Sequence, residues 1–197
     1  MSGPVRYLWL LRHAKAASDA PWGSDDKQRP LTARGRRDAS ALGRRLGAEP
    51  VELDLDPDAV RRPEVAVCSA AVRTRQTTDL IAEGMGGTLP VDAYHSLYGA
   101  DPDLLLQYVR EIDEGVRSAL VVGHNPTIFD TSWELLGGPG DADDGAVPVD
   151  HPPSDRARLE ANGFPTCALA VLTLQVGAWE DVVHGCATLL GAFKPPY

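Results

Sequence analysis

Residues 7–11 read Tyr-Leu-Trp-Leu-Leu and run without interruption into Arg12-His13. A short, wholly apolar run is the pattern of a strand buried on both faces, as at the centre of a parallel sheet covered by helices. Ligands of such sheets collect outside the carboxyl ends of the strands. Arg12 and His13 therefore stand where chemistry is expected, although an Arg-His pair also closes many strands that have no site.

Two more runs have the same character, Val65 to Ser69 and Ser118 to Gly123, the latter leading into His124-Asn125-Pro126. Between them the apolar spacing turns helical. Thr32 is an N-cap for a helix over about 33–47 with Ala39, Leu42 and Leu46 on one face. A second helix runs from Val72 to about Glu83 and carries Arg73, Thr74, Arg75, Gln76 and Thr77. Asp101-Pro102 opens a third, with Leu104, Leu105, Tyr108, Val109 and Ile112 as its apolar face. Asn125 is placed to cap a fourth, containing Ile128, Phe129, Trp133 and Leu136. The polar stretch 17–30 is expected as a loop over the first strand's end, and 89–93 as a short extended piece. Residues 137–165 are long for a connection, and their Gly, Asp and Pro content predicts a loop or insertion at about 138–162. Alternation over 167–174 and 178–183 predicts a terminal hairpin turning at 175–177. The expectation is an α/β protein, a three-layer α/β/α sandwich around a mostly parallel mixed sheet, forming one domain over residues 1–197.

Charge and cysteine content narrow the partners. A formal net charge of -9 argues against nucleic acid or an anionic membrane surface as the main partner. Three cysteines, each in or beside an apolar segment, read as reduced core thiols. With no basic-then-apolar leader and no run of spanning length, the expected location is cytoplasmic.

The three apolar strands end in Arg12 and His13, in Ser69 with Arg73 one turn further, and in His124. If the strands are parallel neighbours, these ends meet at one edge. Two arginines hold a phosphate dianion in fork geometry and stay charged at any working pH. Helix N-termini after the second and third strands add to the same positive field. Two imidazoles beside that anion suit phosphoryl transfer through a histidine nucleophile. There is no G-x-x-x-x-G-K-[ST] loop, so ATP is not implied.

These segments carry a resemblance. Leu11-Arg12-His13-Ala14-Lys15, Cys68 to Thr77, and Val121-Val122-Gly123-His124-Asn125-Pro126 together resemble the histidine phosphatase superfamily, in particular its short SixA-type phosphohistidine phosphatase branch. Arg29-Pro30-Leu31-Thr32-Ala33-Arg34-Gly35, Leu97-Tyr98-Gly99-Ala100 and Phe164-Pro165-Thr166-Cys167-Ala168 extend it over nearly the whole chain outside the insertion. The resemblance implies a phosphoglycerate-mutase-like fold and a phosphatase that needs neither metal nor organic cofactor. It makes His13 the nucleophile, Arg12 and Arg73 the clamp on the phosphoryl oxygens, and His124 a hydrogen-bonding partner of the transferring group. The implied substrate is a phosphorylated protein, such as one bearing phosphohistidine, or a small phosphorylated molecule; the oligomeric state is left open.

One departure concerns the proton donor. Where related sequences place a Glu shortly before Leu-Tyr-Gly, this chain has His95. Either His95 is the acid, or this branch works without a strong one, and the second is preferred. A mutase using the same site and an inactive phospho-ligand-binding protein are the alternatives; the chain is short for the first, and intact His13 argues against the second. Arg29 and Ser18 are even candidates for the rim, whereas Arg75, His151 and Cys68 have ordinary structural readings, as does His184, expected on the last strand.

Overall fold

The computed structural model describes residues 5–48, 61–87, 89–138 and 153–197. The apolar runs become the strands β1 (Arg6–Arg12), β2 (Val65–Ser69) and β4 (Ser118–Gly123), joined by β3 (Val91–Tyr94), β5 (Leu169–Leu174) and β6 (Ala187–Phe193). The helices are α1 (Ala33–Gly47), α2 (Val72–Gly84), α3 (Pro102–Arg110), α4 (Thr127–Leu135) and α5 (Pro153–Asn162). One sheet orders the strands β3-β2-β4-β1-β5-β6. β3, β2, β4 and β1 are parallel, while β5 runs against β1 and β6 against β5.

The pleat of β1 explains its unbroken apolar sequence. Leu8 and Leu10 face one side, packing with Leu105, Leu106 and Val109 of α3, Ile128 and Leu135 of α4 and Leu159 of α5. Trp9 and Leu11 face the other, against Ala39, Leu42 and Leu46 of α1 and Ile81 of α2. Helices on both faces make the expected three layers. Trp9 is fully buried, and its indole N–H donates to the Ser118 hydroxyl at 2.9 Å, so burial leaves this donor paired.

Helices α1 and α2 approach backbone to backbone. A Cβ added to Gly84 would lie 2.5 Å from the carbonyl carbon of Gly43, and one on Gly43 would lie 2.8 Å from the Leu80 carbonyl oxygen. A third close approach ties α1 to the end of β1. A Cβ on Gly35 would lie 2.2 Å from the Lys15 carbonyl oxygen. That same carbonyl accepts from the Thr32 hydroxyl at 3.0 Å, while Thr32 also caps α1 by accepting from Gly35 N–H.

Four expectations are corrected. Residues 178–183 form no strand; β5 pairs instead with β6, Ala187–Phe193. The intervening segment turns inward, because fully buried Trp179 donates its indole N–H to the Val116 carbonyl at 2.9 Å and its backbone N–H to the Glu114 carboxylate at 2.8 Å. His184 accordingly lies in a turn rather than on the last strand, 3.3 Å from the Glu134 carboxylate. Asn125 does not cap α4: Pro126 holds the cap position without a side-chain bond, and the Asn125 amide reaches Phe164 instead. Of the expected insertion, the part from Pro153 to Asn162 is helix α5, and residues 139–152, with His151, lie outside the described residues.

Gly84→Ala should lower stability by about 1–3 kcal/mol, the usual scale of overpacking, even after the gain in helix propensity of about 1 kcal/mol. The check is a lower urea midpoint at unchanged slope. A wild-type midpoint would show that the two helices separate without cost.

Candidate active site

Parallel pairing of β4 with both β1 and β2 brings three strand ends to one edge, with Arg12 opposite Gly123 and Cys68 opposite Val122. There they surround a pocket of about 440 Å³ whose lining includes Arg12, His13, Arg73 and His124, the four residues singled out from the sequence. Lys15, Arg29, Tyr98, Asn125 and Thr166 line it too.

The chain around His13 is held from three directions. Its backbone N–H donates to Gly123 at 2.9 Å, Ala14 N–H donates to the Thr77 hydroxyl at 3.1 Å, and Cys167 N–H donates to the carbonyls of Arg12 and His13 at 3.1 Å each. The motif on α2 is now intelligible residue by residue. Arg73 faces the pocket. The Thr74 hydroxyl donates to the Ser69 carbonyl at 2.6 Å, the Gln76 carbonyl oxygen accepts from Leu31 N–H at 2.7 Å, and Thr77 supports Ala14. Arg75 is exposed, in keeping with its ordinary reading.

Segment 163–168 forms the opposite wall. The Phe164 carbonyl accepts from Arg12 Nη1 at 3.0 Å and from the Asn125 amide at 3.1 Å. Phe164 and Cys167 sit at φ of 36° and 65°, left-handed backbone that costs non-glycine residues on the order of 1–3 kcal/mol each. That strain sits beside the pocket and is held by the bonds to Arg12 and His13. Nothing in the local sequence around Phe164 or Asn125 signalled these contacts, which join segments distant along the chain.

The two imidazoles are neutral. His13 Nδ1 lies 2.8 Å from the Ala14 carbonyl, which assigns the proton to Nδ1 and leaves Nε2 with a free lone pair. Burial, followed by the charges of Arg73, Arg12 and Arg29 and against the pull of that carbonyl, pushes its pKa down to about 4. His124 Nε2 lies 3.0 Å from the Ser69 hydroxyl, and burial, then His13 and Arg73, lower its pKa to about 3. The rings meet edge to face, 5.1 Å between centroids. The Nε atoms of Arg12 and Arg73 are buried and have no hydrogen-bond partner among the described residues, donors that an oxyanion would satisfy. A pocket with two arginines and two uncharged imidazoles is complementary to a dianion.

Other candidates fall away from this centre. His95 is exposed at the start of the turn His95–Leu97 and does not line the pocket. Ser18 is exposed and donates its hydroxyl to Asp19, whereas Arg29 is on the rim. Cys68, Cys167 and Cys186 are buried free thiols. Among the described residues, no three His, Cys, Asp or Glu side chains gather as a metal would require. No described helix is long and apolar enough to cross a membrane.

Strand-end histidines beside two arginines at one edge of an α/β sheet make a site with the chemistry to hold a dianion. Residues 8–98 match the model of the histidine phosphatase superfamily, branch 1. The chain belongs to that superfamily, and its fold is the phosphoglycerate-mutase-like one. An uncharacterized protein of Mycobacterium tuberculosis, Rv1276c, is 35% identical over 94% of this chain and 99% of its own length. A chain from Nakamurella multipartitia described as a candidate SixA phosphohistidine phosphatase is 30% identical, with a TM-score of 0.72 and 100% of both chains covered. Its counterpart from Agrobacterium tumefaciens is 27% identical, with a TM-score of 0.69, covering 98% of this chain and 100% of that one.

The depressed imidazole pKa values make stability depend on pH. Below the ordinary histidine value of about 6.5 the unfolded chain binds protons that the folded chain refuses, so stability falls as pH drops toward the folded values near 4 and 3. Each imidazole contributes up to about 1.4 kcal/mol per pH unit in that window. Unfolding at pH 5 and pH 7 should differ by about 2 kcal/mol or more in wild type and by clearly less in His124→Asn. Equal pH dependence in the two proteins would mean that His124 is not buried as a neutral group.

Proposed function

We propose that this chain is a metal-independent phosphatase that works through a phosphohistidine at His13, acting on phosphohistidine in proteins or on a small phosphorylated molecule. The observation that carries the reading is His13 itself, uncharged and with Nε2 unprotonated, between Arg12 and Arg73. Membership of the histidine phosphatase superfamily and the likeness to SixA-type chains support it.

In the first step Nε2 of His13 attacks phosphorus. The Nε2–P bond forms, the bond from phosphorus to the leaving oxygen or nitrogen breaks, and the leaving group departs with the bonding pair and takes up a proton. In the second step water attacks phosphorus, Nε2–P breaks, and inorganic phosphate is released with the water's proton passing to solvent. Arg12 and Arg73 hold the equatorial oxygens, where charge is spread in the transition state. His124 hydrogen-bonds the same group. An incoming dianion opposes the effect of burial on its pKa, so that it is a better donor with substrate bound than in the empty pocket.

The exposed position of His95 supports a reaction without a strong general acid. An alkyl phosphate expels a basic alkoxide that needs a proton as it leaves, whereas an aryl phosphate or a phosphoramidate needs less help. The substrate preference is therefore for phosphoramidates and aryl phosphates.

Rapid quench with labelled substrate should trap acid-labile, base-stable phosphate on wild type and none on His13→Ala. Label persisting in His13→Ala would refute the nucleophile. The ratio of kcat/KM for an alkyl and an aryl phosphate should already be low in wild type and stay within about threefold in His95→Ala, since removing a working general acid costs about 10²–10⁴. A selective collapse on the alkyl substrate in that variant would instead make His95 catalytic.

A further inference from the structure

Arg73 is only 5% exposed along its side chain, and a buried guanidinium needs a partner. Among the described residues, its charge partner is Asp26, in the short turn Asp26–Gln28 of the loop over the end of β1. The contact is double. Arg73 Nη1 donates to the Asp26 backbone carbonyl at 2.8 Å, and Nη2 lies 3.1 Å from the carboxylate Oδ2. The same carboxylate reaches two further pocket residues. Oδ2 accepts from the Tyr98 hydroxyl at 2.6 Å, and Oδ1 accepts from Arg29 Nε at 2.6 Å. Asp26 itself does not line the pocket, whereas Arg73, Arg29 and Tyr98 do.

Three pocket residues from three parts of the chain are thus tied from behind by one carboxylate. The loop is closed at its base: Ala16 and Leu31 pair as an antiparallel bridge, Ala17 N–H donates to Pro30 at 2.8 Å, and Arg29 Nη1 donates to the Ala17 carbonyl at 3.0 Å. Lys27 and Arg73 both sit over the Tyr98 ring, 5.0 and 5.5 Å from its centroid, and Tyr98 meets His124 edge to face at 5.3 Å. Of the five N–H donors of the guanidinium, one is taken in a hydrogen bond by the Asp26 carbonyl while the carboxylate pairs with its charge at Nη2, and Nε–H has no partner among the described residues.

We infer that Asp26 is a positioning residue, which acts through Arg73 by fixing the guanidinium so that its remaining donors face the phosphoryl group, and which seats Arg29 and Tyr98 on the rim in the same act. This rests on the phosphatase reading above. Asp26 is no proton donor in this arrangement: the hydrogen bonds from the Tyr98 hydroxyl and Arg29, with the charges of Arg73 and Arg29, hold its carboxyl well below the ordinary carboxylate range against the opposing effect of burial. A carboxylate that stays ionised can hold cations in place but has no proton to give.

The experiment combines inorganic phosphate binding by calorimetry with aryl phosphate turnover for wild type, Asp26→Asn, Arg73→Ala and the double variant. Asp26→Asn keeps the shape and lies on a half-exposed loop, and its melting temperature is recorded beside wild type. The expected loss in kcat/KM for Asp26→Asn is about 10- to 100-fold, the scale on which supporting partners of a charged site matter, with phosphate binding weakened in parallel. In the Arg73→Ala background the same substitution should cost no more than about threefold, because the group it acts through is gone. Penalties that multiply in the double variant would show an effect independent of Arg73 and overturn the inference. Tighter phosphate binding or faster turnover in Asp26→Asn would also overturn it, by making Asp26 a competitor for the clamp. Unchanged kinetics at an unchanged melting temperature would do the same. A wild type that binds no phosphate and turns over no phosphate ester would fail differently, removing the phosphatase reading and the inference with it.

Discussion

The site depends on the placement of β4 between β1 and β2. Backbone pairing sets Arg12 against Gly123 and Cys68 against Val122. Because all three strands run the same way, the residue that follows each hydrogen-bonded end emerges at one edge. His13, Ser69 with Arg73, and His124 converge there from positions more than fifty residues apart along the chain. Slipping one strand by a single residue would turn its apolar side chains to the other face and aim its terminal residue away from the pocket. The apolar content on both faces of β1, β2 and β4 therefore guards the site's geometry as well as its stability.

Electrostatics gives that geometry an uncharged His13. An imidazole in water is partly protonated near neutral pH, and a protonated nitrogen cannot attack phosphorus. Burial and the neighbouring arginines both disfavour the cation, while the Ala14 carbonyl selects which nitrogen bears the one proton. The same arginines that favour a dianionic ligand thus keep His13 uncharged before it arrives. The field is local, since the chain as a whole carries a formal charge of -9. The positive field of the pocket is accordingly a property of a few groups, with no support from the overall charge.

The strands and helices that carry the site were legible because they are regular and their sequences repeat a period. β2 and β4 fall on the predicted residues, and α1 does so within its caps. The reading failed where periodicity has no grip. Residues 178–183 alternate like a strand, but Trp179 and Val182 fill the end of the core, with Trp179 anchored to Val116. Asn125 before Pro126 has the composition of a cap, yet the Phe164 carbonyl competes for its amide and wins. His95 occupies the sequence position of an expected carboxylate, but the turn that carries it points it to solvent.

The sequence by itself determined which segments are buried strands, which polar residues close them, and hence that two arginines and two histidines are candidates for one site. Those are local properties, set by hydrophobic period and by the residues at its ends. Only the tertiary structure decided what surrounds them: that Phe164 braces Arg12, that Ser69 meets His124, and that Asp26 stands behind Arg73, Arg29 and Tyr98. Asp26 lies in a polar loop with two neighbouring acids, Asp19 and Asp25, and nothing in its local sequence sets it apart from them. What sets it apart is the fold of the loop back over β1, which brings its carboxylate within hydrogen-bond reach of an arginine 47 residues away.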